Sequence, residues 1–164
     1  MTAPTSNLDW FKWNIPRGSE FRTGYSFDAS SLTLDIGAPQ NAMLYIKNIE
    51  LIVETGATWE AIDISYPHGD GDVVGTKHIN INTGTCTLGH IANKIKDYST
   101  GEEVYRPEET STAYYGYTLD FEVPVKLRKS ESDTFHIQFT ALTKQVDLRV
   151  RGWTINEQNA GFSD

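Results

Sequence analysis

From Tyr115 to Leu127 the chain reads Tyr115-Gly-Tyr-Thr-Leu-Asp-Phe-Glu-Val-Pro-Val-Lys-Leu127, with an apolar residue at every second position. Tyr115, Tyr117, Leu119, Phe121, Val123, Val125 and Leu127 fall on one side. Gly116, Thr118, Asp120, Glu122, Pro124 and Lys126 fall on the other. A period of two held over this length predicts a strand with one face in a core and the other in water. Pro124 has no N–H to give to a ladder, so that end of the strand is expected at an edge or a bend.

The same alternation recurs in both directions. Phe21, Thr23, Tyr25 and Phe27 alternate, as do Leu32, Leu34 and Ile36, before Gly37-Ala38-Pro39 stops the run. Leu44 and Ile46 are followed by Ile49, Leu51 and Val53 in opposite parity, which predicts a bulge near Lys47-Asn48. Glu54-Thr55-Gly56-Ala57 reads as a tight turn, and Trp59–Tyr66 as the strand after it. Pro67-His68-Gly69-Asp70-Gly71-Asp72 is the strongest turn signal. Val73–Ile81 and Thr85–Leu88 read as strands around Asn82-Thr83-Gly84. Phe135–Ala141 and Val146–Val150 complete the set, with a second parity change before Trp153 and Ile155.

Leu88, Ile91, Ala92 and Ile95 are spaced three and four apart, which predicts one short helix. Tyr98–Thr112 reads as a long polar loop. With so few helical segments there is nothing to carry parallel crossovers, so the sheets are expected to be antiparallel. About eight or nine strands in a chain of this length fit an all-β, two-sheet sandwich of jelly-roll type. The Cys…Trp…Cys core of an immunoglobulin-like sandwich is absent, since the chain has 1 cysteine.

The expected organisation is an N-terminal arm over residues 1–19, a sandwich domain over 20–155 and a tail over 156–164. The arm carries Trp10, Phe11, Trp13 and Ile15 among Pro4, Pro16 and Gly18, without a helical stripe. These rings either cover one end of the domain's own core or pack on a neighbouring subunit; an arm beside a sheet edge is a natural exchange element. Large aromatic residues dominate interface hot spots, so these four are the expected partner-binding residues.

The 164 residues carry 22 acidic against 14 basic side chains, a net charge of −8. That balance argues against broad phosphate binding, and no nucleic-acid partner is expected. No run approaches the roughly 20 apolar residues of a membrane span, so no membrane partner is expected either. The first residues lack the basic and apolar regions of a signal peptide. Together with the single Cys86 this points to synthesis in a reducing cytoplasm.

Catalytic motifs are missing. There is no Gly-x-Ser-x-Gly elbow, and Cys86 lacks a basic cluster and reads as a buried small hydrophobe. His68, Asp70 and Asp72 read as a turn rather than a calcium loop, because no acid follows at the required distance. His78 and His136 are outward strand histidines that could meet across a sheet, but the spacing of a cupin metal centre is absent. Glu50, Glu60, Asp63, Asp120 and Glu122 are outward acids from which a glycosidase pair would have to come. No enzyme, cofactor, metal or catalytic residue is expected.

Two stretches, Tyr45-Ile-Lys-Asn-Ile-Glu-Leu-Ile-Val-Glu-Thr-Gly-Ala-Thr-Trp59 and Phe135-His-Ile-Gln-Phe-Thr-Ala-Leu142 to Leu148-Arg-Val-Arg-Gly-Trp153, look like a strand–turn–strand hairpin and paired closing strands. In them the chain resembles the small jelly-roll proteins of viral shells, in particular phage decoration (cement) proteins. The resemblance implies a homo-oligomer, with a trimer favoured, clamping a major capsid protein in a virion, without catalysis. It assigns no individual residue a role. The alternative is a carbohydrate-binding β-sandwich module that stacks sugars on Trp59, Tyr66, Tyr114 and Trp153.

Overall fold

The computed structural model describes residues 19–70, 73–82, 88, 92–105 and 113–156, with 19, 68–70 and 73–82 described by backbone alone. The arm residues Trp10, Phe11, Trp13 and Ile15, the tail beyond Asn156, Cys86, His90 and Asp72 lie outside the described residues.

The strands in chain order are β1 (Ser19–Phe27), β2 (Thr33–Gly37), β3 (Ala42–Glu54), β4 (Ala61–Asp70) and β5 (Val73–Asn82), then β6 (Lys94–Asp97), β7 (Glu103–Val104), β8 (Tyr114–Arg128), β9 (Thr134–Thr140) and β10 (Val146–Asn156). They pair antiparallel in a six-stranded sheet, β1-β10-β3-β8-β6-β7, and a four-stranded sheet, β2-β9-β4-β5. Without the β6–β7 excursion the two orders are β1-β10-β3-β8 and β2-β9-β4-β5. The chain crosses between sheets at β1–β2, β2–β3, β3–β4, β5–β6, β8–β9 and β9–β10. This is the double Greek key of a jelly roll.

The core lies between the sheets. Leu44, Ile46, Ile49, Leu51, Leu148 and Val150 from one side meet Ile62, Ile64, Phe135, Ile137 and Phe139 from the other, all buried. Each such side chain contributes roughly 1.5–3 kcal/mol relative to exposure. Two aromatic groups join the layers. Phe135 stacks on Tyr66 at 5.3 Å and meets Phe121 edge-on at 5.8 Å. Phe139 packs on Phe27 at 4.9 Å and on Trp59 at 5.9 Å.

The bulge expected at Lys47-Asn48 is present and larger than the parity change implied. Against β8, Ile46 lies opposite Val125 and Asn48 opposite Asp120, so residues 121–124 of β8 span the single Lys47. Lys47 Nζ donates to the Phe121 carbonyl at 3.1 Å. This excursion corrects the one-face reading of β8. Val123 swings out and is 75% exposed, while Tyr115, Tyr117, Leu119, Phe121, Val125 and Leu127 stay buried. Pro124 sits inside the excursion, past Thr118, where β6 stops pairing with β8. β10 pairs with β1 without a break, and its register shift against β3 between Arg151 and Gly152 is the same unpaired Lys47. At the second parity change the apolar Trp153 and Ile155 simply take the outer face.

Other differences follow from hydrogen-bond geometry. Of the helix expected over Leu88–Ile95, Leu88 is helical, residues 89–91 lie outside the described residues, and the last part is strand instead. Helical Leu88 also corrects the end of the strand expected over Thr85–Leu88, whose other residues lie outside the described ones. Ala92 N–H donates to the Leu88 carbonyl, but Lys94–Asp97 is strand β6, with Ile95 opposite Tyr117. An open sheet edge offers every backbone group a partner, and this outweighs three-and-four spacing in a short segment. Of the turn expected over Pro67–Asp72, Pro67–Asp70 is strand, with Asp70 pairing Val73, and Gly71 and Asp72 lie outside the described residues. The loop expected over Tyr98–Thr112 starts with a turn and then β7; residues 106–112 lie outside the described residues. The strands β6 and β7 raise the described total to ten. The turn at Glu54–Ala57 is as expected: Ala57 N–H donates to Glu54 O at 3.0 Å, and Gly56 supplies φ +90°.

Candidate interface on the outer face of the six-stranded sheet

The residues expected to carry chemistry do not come together. Glu50, Asp120 and Glu122 belong to the six-stranded sheet, whereas Asp63 lies on β4 of the other sheet and Glu60 just precedes it. Facing sheets stand about 10 Å apart, so outward acids of the two layers do not share a substrate. His136 Nδ1 lies 2.7 Å from Asp35 Oδ1 on the outer side of the four-stranded sheet. His78 and His136 both pair in register with Ser65, which puts them two strands apart. Among the described residues no group of three or more His, Cys, Asp or Glu is placed to hold a metal ion.

The rings proposed for sugar stacking also divide. Trp59 and Tyr66 are buried between the sheets and cannot offer a face. Tyr114 is half exposed, and Trp153 is half-buried against Tyr45. Tyr105, not singled out in the sequence, is fully exposed after β7.

Two features stand out on the outer face of the six-stranded sheet. The first is polar. Tyr98, just past β6, donates its phenol to Glu50 on β3, at 2.8 Å and 2.9 Å from the two carboxylate oxygens. Arg149 on β10 lies 3.9 Å from Glu50, and Lys96 Nζ sits 5.0 Å from the centre of the Tyr98 ring. A Cβ on Gly116 would fall 2.3 Å from Glu50 Oε2 and 2.7 Å from Tyr98 Cε2, so glycine makes room for the pair. Asp97 holds the turn behind Tyr98 by accepting from Ser99 N and Oγ, and those bonds keep its carboxyl below the usual range. The cluster straps β6 to β3 and β10.

Burial raises the Tyr98 phenol above its ordinary 10.0, the bond to Glu50 and that carboxylate's charge add to this, and Arg149 and Arg151 oppose it. A raised native pKa stabilises the fold below the unfolded value and loses that contribution as pH rises through the native one. Tyr98→Phe is expected to lower stability near neutral pH by about 1 kcal/mol and to reduce the alkaline loss. Urea melts at neutral and alkaline pH check this; an unchanged alkaline slope in the variant would count against the strap.

The second feature is apolar. Beyond the bulge, Trp153 lies opposite Tyr45, and Ile155 opposite Met43. Leu44 and Ile46 point into the core, so Met43 and Tyr45 point away from it. Met43 is 2% exposed yet belongs to no part of the inter-sheet cluster. The Tyr45 and Trp153 rings stack at 5.5 Å and 10°. Trp153 Nε1 is buried and has no hydrogen-bond partner among the described residues. In register with this patch are Glu20 on β1 and Lys126 and Arg128 on β8. Sequence reading passed over Tyr45, although the parity changes at Lys47 and before Trp153 carried the signal.

No protein-family model and no curated protein matches the chain.

Proposed function

We propose that this chain is a non-enzymatic assembly protein, whose arm over residues 1–19 grips neighbours through Trp10, Phe11, Trp13 and Ile15 while the jelly roll serves as the rigid body. The assembly we propose is a virion shell. There the protein acts as a decoration or minor capsid subunit, bound to itself, with a trimer favoured, and to a major capsid protein. The observation that carries this reading is the apolar patch of Met43, Tyr45, Trp153 and Ile155 on the side of a sheet turned away from its own core. Met43 is covered and the other three are half-buried, so this outer face carries an apolar patch that needs a cover outside the inter-sheet core. An aromatic-rich leading segment is the kind of element that fills such a surface. The fully exposed Tyr105 and half-exposed Tyr114 favour the second reading, a carbohydrate-binding module.

Light scattering on the full chain is expected to give a multiple of 18.4 kDa. Replacing Trp10, Phe11 and Trp13 together by alanine is expected to reduce it to the monomer. A monomeric wild-type chain retained on immobilised polysaccharide would favour the second reading instead.

A further inference from the structure

We infer that the outer face of the six-stranded sheet carries a binding site for a small tetrahedral oxyanion, phosphate or sulfate, held by Arg22, Arg149 and Arg151. The site is separate from the apolar patch and does not depend on how the chain assembles. Arg22 on β1 lies opposite Arg151 on β10, and Gly24 lies opposite Arg149. Positions two apart on a strand share a face, so these four form one block, about 4.8 Å across and about 7 Å along the strands. Arginine stands at three corners and glycine at the fourth, and all four are exposed. A Cβ on Gly24 would meet only the Leu148 carbonyl oxygen, at 3.7 Å, so the floor at that corner is open.

Like charges directly opposite across a ladder destabilise it, and the neighbouring acids do not neutralise this block. Glu20 Oε1 takes Arg22 Nε at 2.7 Å, which leaves the terminal nitrogens of that guanidinium for another acceptor. Glu50 accepts from Tyr98, and Arg149 Nη1 stands 3.9 Å from it, past hydrogen-bond reach. Asp147, next along β10, accepts from Ser26 Oγ and Gln145 Nε2. Asp120 is two strands from Arg151, beyond Asn48. Arg151 itself has no hydrogen-bond or ion-pair partner among the described residues. Planar guanidinium forks from three corners match an anion whose oxygens point in several directions, whereas a carboxylate engages only one or two of them. The net charge of −8 opposes the approach of a polyanion, so the occupant is a small free ion.

The test titrates sodium sulfate, and separately sodium phosphate, into the full chain at an ionic strength held constant with sodium chloride, and follows the arginine Nε–Hε resonances. The wild type is expected to saturate. Arg149→Gln and Arg151→Gln are each expected to weaken binding about tenfold, the effect of losing one charged hydrogen-bond donor. Lys129→Gln, at an exposed turn, is the control and is expected to bind as the wild type does. Thermal melts add a readout with the opposite sign. In chloride alone Arg151→Gln is expected to melt at or above the wild-type Tm, because it relieves the repulsion from Arg22. Sulfate is expected to raise the wild-type Tm by more than it raises that of Arg151→Gln. Equal anion responses in the wild type and both arginine variants would overturn the inference, as would a clearly lower Tm of Arg151→Gln in chloride, which would make Arg151 a part of the fold. Binding of dextran sulfate without a saturable response to either free ion would also overturn it, in favour of a polyanion surface.

Discussion

Gly152→Ala should destabilise the domain by about 3–5 kcal/mol, at the upper end for a single methyl group. A Cβ at this position would lie 1.8 Å from the Tyr45 carbonyl oxygen and 2.8 Å from its carbonyl carbon. Those atoms are backbone, fixed in the β3–β10 ladder where Gly152 pairs with Ile46 across the register shift. A flexible side chain could swing away; a ladder carbonyl cannot without breaking the pairing that sets Trp153 against Tyr45. Gly24→Ala is the control, because its added Cβ meets Leu148 O at an ordinary 3.7 Å. Urea unfolding of both variants checks the contrast. Equal losses would mean that the close approach at the bulge is wrong.

Phe135→Ala should cost about 3–5 kcal/mol by leaving a cavity between the sheets. Phe135 is fully buried on β9, stacked on Tyr66 of β4 and edge-on to Phe121 of β8. It therefore holds a ring from each layer, and Tyr66 and Phe121 also touch at 5.2 Å. For a domain of this size the loss corresponds to a fall in Tm of about 10 °C. Phe135→Leu keeps more of the volume and should lose clearly less. Thermal melts followed by near-UV circular dichroism check both, and a Phe135→Ala variant as stable as wild type would place this ring outside the core.

Much of the architecture was legible from alternation alone. Period-two patterning located β1, β3, β8, β9 and β10, because a half-buried strand must alternate whatever its partner. The break at Lys47 was legible for the same reason, since one extra residue flips every later side chain. The reading failed where neighbours set the outcome. Ile95 has helical spacing, yet the edge of β8 recruits it into β6. Val123 continues the apolar pattern, yet four residues of β8 spanning Lys47 carry it outward. Trp59 and Tyr66 look like rings available for stacking, but facing sheets bury both.

The amino-acid order by itself determined that this protein is an antiparallel sandwich, where its strands kink, and that it has an aromatic leading segment. Those properties depend on side-chain period and backbone sterics, which act over a few residues. Only the tertiary structure decided that Tyr45, Trp153, Met43 and Ile155 share one outward patch, and that Tyr98 meets Glu50 over Gly116. Such meetings depend on register between segments far apart in sequence, 48 residues for Tyr98 and Glu50 and more for Tyr45 and Trp153, and register is fixed only when the two layers close over a common core.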